Sequence, residues 1–249
     1  MSDNDFQKYE DLKKIEDIVF ITTLQQIKSD ISNQFSPLPN RITSINLLRS
    51  MCKYHTTYFY NFFWGIKKDF INNCLNYENN SKLQQMSFFF LNEILNSINY
   101  EIPQEYTNQF IFWLYDNIFI FLTKSNNILK ESAKNLLRSI SEKIPCEAVG
   151  ICLLKSLQVN DENIINFISQ CINIYFNGYI SYGLNFNYII EELKIDKVCM
   201  DKENQDYYLR IKNIFKSFNN MLENEGCDMS LITENLDSKN KTIFFDLIK

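Results

Sequence analysis

Glycine and proline are scarce: the 249 residues hold five Gly and four Pro. Turn-rich all-β folds and collagen-like repeats need both, so each is excluded. Twenty-one Phe and fourteen Tyr argue equally against a disordered chain. With so few helix breakers, the backbone is expected to run in long helices. Histidine is almost missing, since His55 is the only one. A Ser-His-Asp triad, a His-rich metal site and paired acid–base chemistry lose their usual residue. No C-x-x-C pair occurs among the seven cysteines, and the odd count fits a reducing compartment. Nor is there a Gly-rich phosphate loop, because Gly178 and Gly183 lie in an aromatic stretch. The expectation is therefore no enzyme, no cofactor and no metal.

Arginine is rare too, with four Arg beside twenty-one Lys, and the net charge is −5. An acidic chain does not attract polyphosphate, so nucleic acid is an unexpected partner. The longest apolar run, Phe110 to Leu122, is too short to span a bilayer and carries Asp116 and Asn117 at its centre. The opening Met1-Ser-Asp-Asn-Asp5 is acidic and polar, unlike a presequence, and the expected location is cytoplasmic. Thirty-two Asn and thirty-three Ile complete the bias of an A/T-rich genome. Asn pairs such as Asn79–Asn80 are accordingly read as composition, not as signatures.

What is present is a regular alternation of apolar helical patterns and short polar breaks. Residues Asp5 to Gln34 repeat apolar positions at Leu12, Ile15, Ile18, Ile27 and Ile31 and read as one helix, ended by Pro37 and Pro39. Ten further helices are expected near 41–54, 58–76, 82–99, 105–123, 128–144, 146–157, 162–176, 186–195, 205–224 and 229–236. Ser81, Asn127 and Asp161 stand where N-caps belong. The chain is thus all-α. Asn46-Leu-Leu-Arg-Ser-Met51 recurs as Asn135-Leu-Leu-Arg-Ser-Ile140, 89 positions on, with Phe90-Leu-Asn-Glu-Ile-Leu95 between them. A spacing of about 40–47 residues carrying two helices is the HEAT/armadillo period. Each such pair has an apolar face that only stacking can bury. The expected architecture is an α-solenoid of about five helix pairs over 36–249, with a capping helix in 1–35.

The segment Asn126 to Ile140, with Ala133 and Leu136–Leu137, resembles the first helix of a HEAT repeat. Arg41-x3-Ile45-x-Leu-Leu-Arg49, followed by Tyr60-x-Phe62-Phe63, resembles the opening repeat of a CLASP-type TOG domain, over Arg41 to about Tyr179. That resemblance implies a paddle of HEAT repeats whose intra-repeat turns contact tubulin. Under it the contact residues are Lys53 and His55, Tyr100 and Glu101, Lys143, and Tyr179 with Tyr182. The expected function is a protein-binding scaffold that is TOG-like and meets tubulin or another cytoskeletal partner. The alternative is a HEAT-type adaptor of a translation, transport or kinase complex, holding a partner's helix on its concave face near Lys67 and Lys68.

Two smaller features complete the reading. Cys52 and His55 are three residues apart, close on a helix, and are read as a core thiol beside a helix-end imidazole. The stretch Tyr175 to Tyr182 is read as an aromatic loop around Gly178. Its rings either close a helix pair or anchor a partner.

Overall fold

The computed structural model describes residues 7–77, 80–97, 104–124, 126–182, 184–224, 226 and 229–249. Among them every regular element is helical. In chain order the α-helices are α1 Phe20–Ser32, α2 Leu38–Tyr54, α3 Thr56–Phe70, α4 Ser81–Ser97, α5 Gln104–Ile118, α6 Asn127–Lys143 and α7 Glu147–Lys155. They continue as α8 Glu162–Tyr182, α9 Phe186–Leu193, α10 Ile195–Val198, α11 Gln205–Asn224, α12 Ser230–Thr233 and α13 Ser238–Ile248. No described helix is long and apolar enough to cross a membrane.

Packing divides the chain into two compact units: 1–101 with 117–136, and 102–116 with 137–249. In the first unit, α1 lies against α2 and α3, and α2 packs on both α3 and α4. Its centre is a set of edge-to-face rings, with Phe90 of α4 meeting Phe59, Phe63 and Phe70 of α3 at 5.4–5.9 Å between centroids. Arg41 is 1% exposed and joins three chain segments. It donates to the carbonyls of Asn33 and Gln34 past the end of α1 and to that of Asn73, and its guanidinium lies over the Tyr77 ring. The Asn33 carbonyl also accepts from the Ser36 amide at 2.9 Å, so the guanidinium adds a buried donor just past the end of α1.

In the second unit α7 packs on α8 and α9, and α11 packs on α8, α10 and α13. Phe176, Phe186, Phe215, Phe218 and Phe244 form its aromatic centre. Tyr115 and Ser156 share a buried hydroxyl pair at 2.8 Å, and Ser156 donates to the Cys152 carbonyl. Arg210 donates to the carbonyls of Leu157 and Val159, closing the break after α7.

The N-caps fall one residue earlier than expected at two helices. Asn80 accepts from the Leu83 amide and Asn126 from those of Ile128 and Leu129, whereas Asp161 caps α8 as read. Three expectations need correction. The opening α-helix starts at Phe20, and residues 7–19 hold only short 3-10 turns at Tyr9–Asp11 and Asp17–Val19, with extended backbone at Lys8, Leu12 and Glu16. The stretch Tyr175–Tyr182 is no loop, because α8 continues through Gly178 to Tyr182. A final helix, Ser238–Ile248, follows the last one expected, its start capped by Asp237 accepting from the Asn240 amide.

Two glycines inside helices are expected to respond oppositely to alanine. At Gly65, in α3, an added Cβ meets nothing within 4 Å. Gly65→Ala should stabilise by about 0.5–1 kcal/mol, since the unfolded chain loses freedom and Ala favours helix. At Gly150, in α7, the Cβ would stand 2.8 Å from Cε1 of Tyr175. That ring is 1% exposed, and its hydroxyl donates to the Cys146 carbonyl at 3.2 Å, so it has no room to retreat. Gly150→Ala should therefore destabilise, with overpacking of about 1–3 kcal/mol outweighing the propensity gain. Urea midpoints of the two variants, moving in opposite directions from the parent, are the check.

Candidate functional site

The seven residues expected at the turns meet different fates. Tyr100 and Glu101 lie outside the described residues. Lys143 ends α6 and is exposed. Tyr179 and Tyr182 belong to the last turns of α8, not to a loop. Lys53 and His55 stand at the junction of α2 and α3.

That junction is a single residue. His55 ends α2 and starts α3, with φ −135° and ψ 45°, and its amide donates to the Met51 carbonyl. Its ring packs on Phe20, the first residue of α1, at 4.8 Å between centroids, and Phe20 in turn meets the edge of Tyr58 at 5.8 Å. Nε2 of His55 is buried and has no hydrogen-bond partner. Tyr58 of this stack is 65% exposed, and Ile18 and Ile21, which flank Phe20 in the chain, are 89% and 69% exposed. Large apolar side chains left open side by side mark contact sites more often than scattered single ones do. Phe20, Ile21 and Tyr58 were not singled out as site residues from the sequence. Ile21 and Tyr58 read there as ordinary members of helical patterns.

Lys53 is placed differently from a free basic contact. Its ammonium donates to the Tyr9 carbonyl at 2.7 Å and stands 4.7 Å from the Tyr9 ring centroid and 5.0 Å from that of Tyr54. The Tyr9 hydroxyl is raised above its ordinary pKa of 10.0, first by partial burial and then by Cys52 and Glu93, with Lys53 opposing. Lys53 therefore serves the chain's own opening segment. Lys67, named for the alternative reading, lies with its ammonium over Trp64 at 3.0 Å, and burial lowers its pKa.

Two more side chains grip the same segment. Arg49 of α2, 1% exposed, forms a two-pronged ion pair with Glu93 of α4 at 2.7 and 2.8 Å. Its remaining nitrogen, Nη1, donates to Asn46 Oδ1 and to the carbonyl of Gln7. The hydroxyl of Tyr54 donates to the carbonyl of Leu12 at 2.8 Å. Leu12 and Ile15 are buried beneath these contacts. A cavity of about 550 Å3 remains between the segment at Asp11–Glu16 and a floor that includes Ile42, Asn46, Leu47 and Ser50.

The Cys52 thiol lies 3.2 Å from Ser97 Oγ, which also meets the Tyr60 hydroxyl at 3.0 Å. Burial pushes the Cys52 thiol up to about 12, and Cys74 and Cys146 likewise to about 12. Cys171 is raised to about 11, and Cys152 is raised as well, both by burial. Thiolate is the reactive form, so these five should resist a thiol reagent in the native chain. Cys199, which is half-buried, should react first among the described six. In a Cys227→Ser background, one fast thiol equivalent is expected with a disulfide reagent, and six after unfolding; a fast-reacting Cys52 would contradict the assignment. Among the described residues no group of three or more His, Cys, Asp or Glu could hold a metal ion.

No protein-family model matches the chain. No curated protein matches it either. Among solved structures, it is similar to the crystal structure of an engineered protein at 12% identity, covering 90% of this chain and 94% of that one with a TM-score of 0.44. A likeness that loose carries no argument about either fold or function.

Proposed function

We propose that the chain is a non-enzymatic protein-binding scaffold, an α-solenoid of HEAT/armadillo type working in the cytoplasm, whose α2–α3 turn edge meets its partner. The stacking is supported by helices that lie on their next-but-one neighbour as well as on the adjacent one. Within their units α2 packs on α4, α7 on α9 and α11 on α13. Stacked helix pairs produce this pattern, because each pair hides its apolar face against the next.

The observation that carries the reading is the Phe20–His55–Tyr58 stack at the turn, with Tyr58 exposed and the exposed Ile18 and Ile21 flanking Phe20 in the chain. Aromatic and aliphatic anchors of this kind concentrate binding energy in a few residues. The TOG resemblance makes tubulin the first partner to try.

Gel filtration of the chain with tubulin dimers, and co-sedimentation with microtubules, test the partner. Co-elution is expected at micromolar concentration, and Ile21→Glu with Tyr58→Glu should weaken it at least about tenfold while leaving the helical spectrum unchanged. No shift removes tubulin. Binding lost on Lys67→Glu with Lys68→Glu, but kept in the turn variant, would favour the adaptor that uses the second helices.

A further inference from the structure

Residues 7–19 are held in an unusual way for a chain segment that opens a helical fold. Their backbone is extended at Lys8, Leu12 and Glu16, with ψ of 150°, 127° and 141°. Its two short turns use the Lys8 and Glu16 carbonyls, which accept from the Asp11 and Val19 amides, and leave other carbonyls to outside donors. Three of those carbonyls, on Gln7, Tyr9 and Leu12, are taken by side chains of one short stretch of α2: Arg49, Lys53 and Tyr54. Arg49 and Lys53 are four apart and share a helix face, so they present a ladder of donors along the segment. Below the backbone only two side chains enter the core, Leu12 and Ile15, three residues apart. Everything else the segment carries, including Lys13, Lys14, Glu16 and Ile18, is exposed. A groove can read a polyproline-like peptide in this way: main-chain groups give the grip, and side chains three apart, on one face, give the choice.

The fit is loose. A cavity of about 550 Å3 beside the segment is lined on α2 by Ile42, Asn46, Leu47 and Ser50, of which Asn46 and Leu47 are only half-buried. The segment also fails to hide its own apolar residues, as Ile18 is 89% exposed and Val19 45%. An element selected only to complete the core would fill that space and turn those side chains inward.

We infer that the face of α2 from Asn46 to Tyr54 is a recognition groove for an extended protein segment with two apolar side chains three residues apart, and that residues 7–19 are its intramolecular competitor. The partner's main chain takes the donors of Arg49, Lys53 and Tyr54; its two apolar side chains take the places of Leu12 and Ile15. The Arg49–Glu93 pair stays intact throughout, since Nη1 alone serves the groove. While the segment is seated, the apparent affinity for a partner falls by the fraction of molecules in the open form. The inference stands on how the segment is seated, and not on which protein meets the turn edge.

The test uses the full chain and a fluorescent peptide with the sequence of residues 7–19. Leu12→Asp with Ile15→Asp releases the segment. The released chain should keep the parent's helical spectrum and bind the peptide at least about tenfold more tightly than the parent does. A peptide carrying Asp at both positions should not bind, and Tyr54→Phe in the released chain should weaken binding of the unaltered peptide. A folded release variant that ignores the peptide overturns the groove; a release variant that loses its helices overturns the competitor, since the segment is then part of the core. A second measurement needs no variant. Trypsin cleavage of the parent chain after Lys13 and Lys14 should quicken when excess peptide displaces the segment, and an unchanged rate also overturns the inference.

Discussion

Glu93→Ala is expected to lower the unfolding free energy by about 3–5 kcal/mol, the cost of stranding a buried charge. Glu93 accepts Nε and Nη2 of Arg49 at 2.8 and 2.7 Å, and Arg49 is 1% exposed. The guanidinium has almost no access to solvent. The loss comes less from the missing attraction than from the buried cation left behind. The two explanations separate in a cycle. Arg49→Met combined with Glu93→Leu removes both charges at similar volume and should restore most of the loss, whereas Arg49→Met alone should not. Urea unfolding of the parent, both single variants and the double variant measures it. A double variant as unstable as Glu93→Ala would show that the pair's geometry matters more than its charge.

That pair also shows where the sequence was readable. Asn46-Leu-Leu-Arg-Ser-Met51 was legible as the apolar-periodic core of α2, and α2 duly packs through Ile45, Leu48 and Met51. The same local pattern says nothing about Arg49 lying inside, because its partner is 44 residues away on α4. Helices with a clean start and stop, such as α6 and α11, fell near their expected bounds. The opening segment misled for a physical reason. Leu12 and Ile15 are spaced as on a helix face, but the same spacing suits an extended chain that dips inward twice. What decides between them is the set of donors on α2, more than 40 residues on, which no local pattern contains. The turn cluster was half legible. His55 and Lys53 were expected at an exposed turn, whereas Phe20 reaches His55 only because α1 starts at Phe20. Lys53 was expected to face a partner and instead holds Tyr9.

Phe176→Ala is expected to cost about 3–5 kcal/mol, the range for removing a fully buried ring. Phe176 is 1% exposed and lies 4.5 Å from Phe218, 5.8 Å from Phe215 and 6.1 Å from Phe186 between centroids. Truncation would leave a cavity among rigid rings that cannot collapse into it. Phe176→Leu keeps much of the volume and should cost less than half as much. The variant has a second, local consequence. Gly178 lies two residues on, inside α8, where glycine costs about 1 kcal/mol relative to alanine. Sequence periodicity reads a break there, and on propensity alone that reading is sound. The helix nevertheless continues to Tyr182. The rings of Tyr175 and Phe176, packed just before the glycine, supply what propensity lacks, because tertiary burial outweighs a single helix-weakening residue. Phe176→Ala should therefore fray Asn177–Tyr182 before the rest of α8, seen as amide exchange in that turn rising well above exchange at Ile168–Ile172. Gly178→Ala, which meets no atom within 4 Å of its new Cβ, should slow exchange in the same turn. If Phe176→Ala instead raised exchange evenly along α8, the ring would hold the helix as one unit, and the stability of its last turn would need another source.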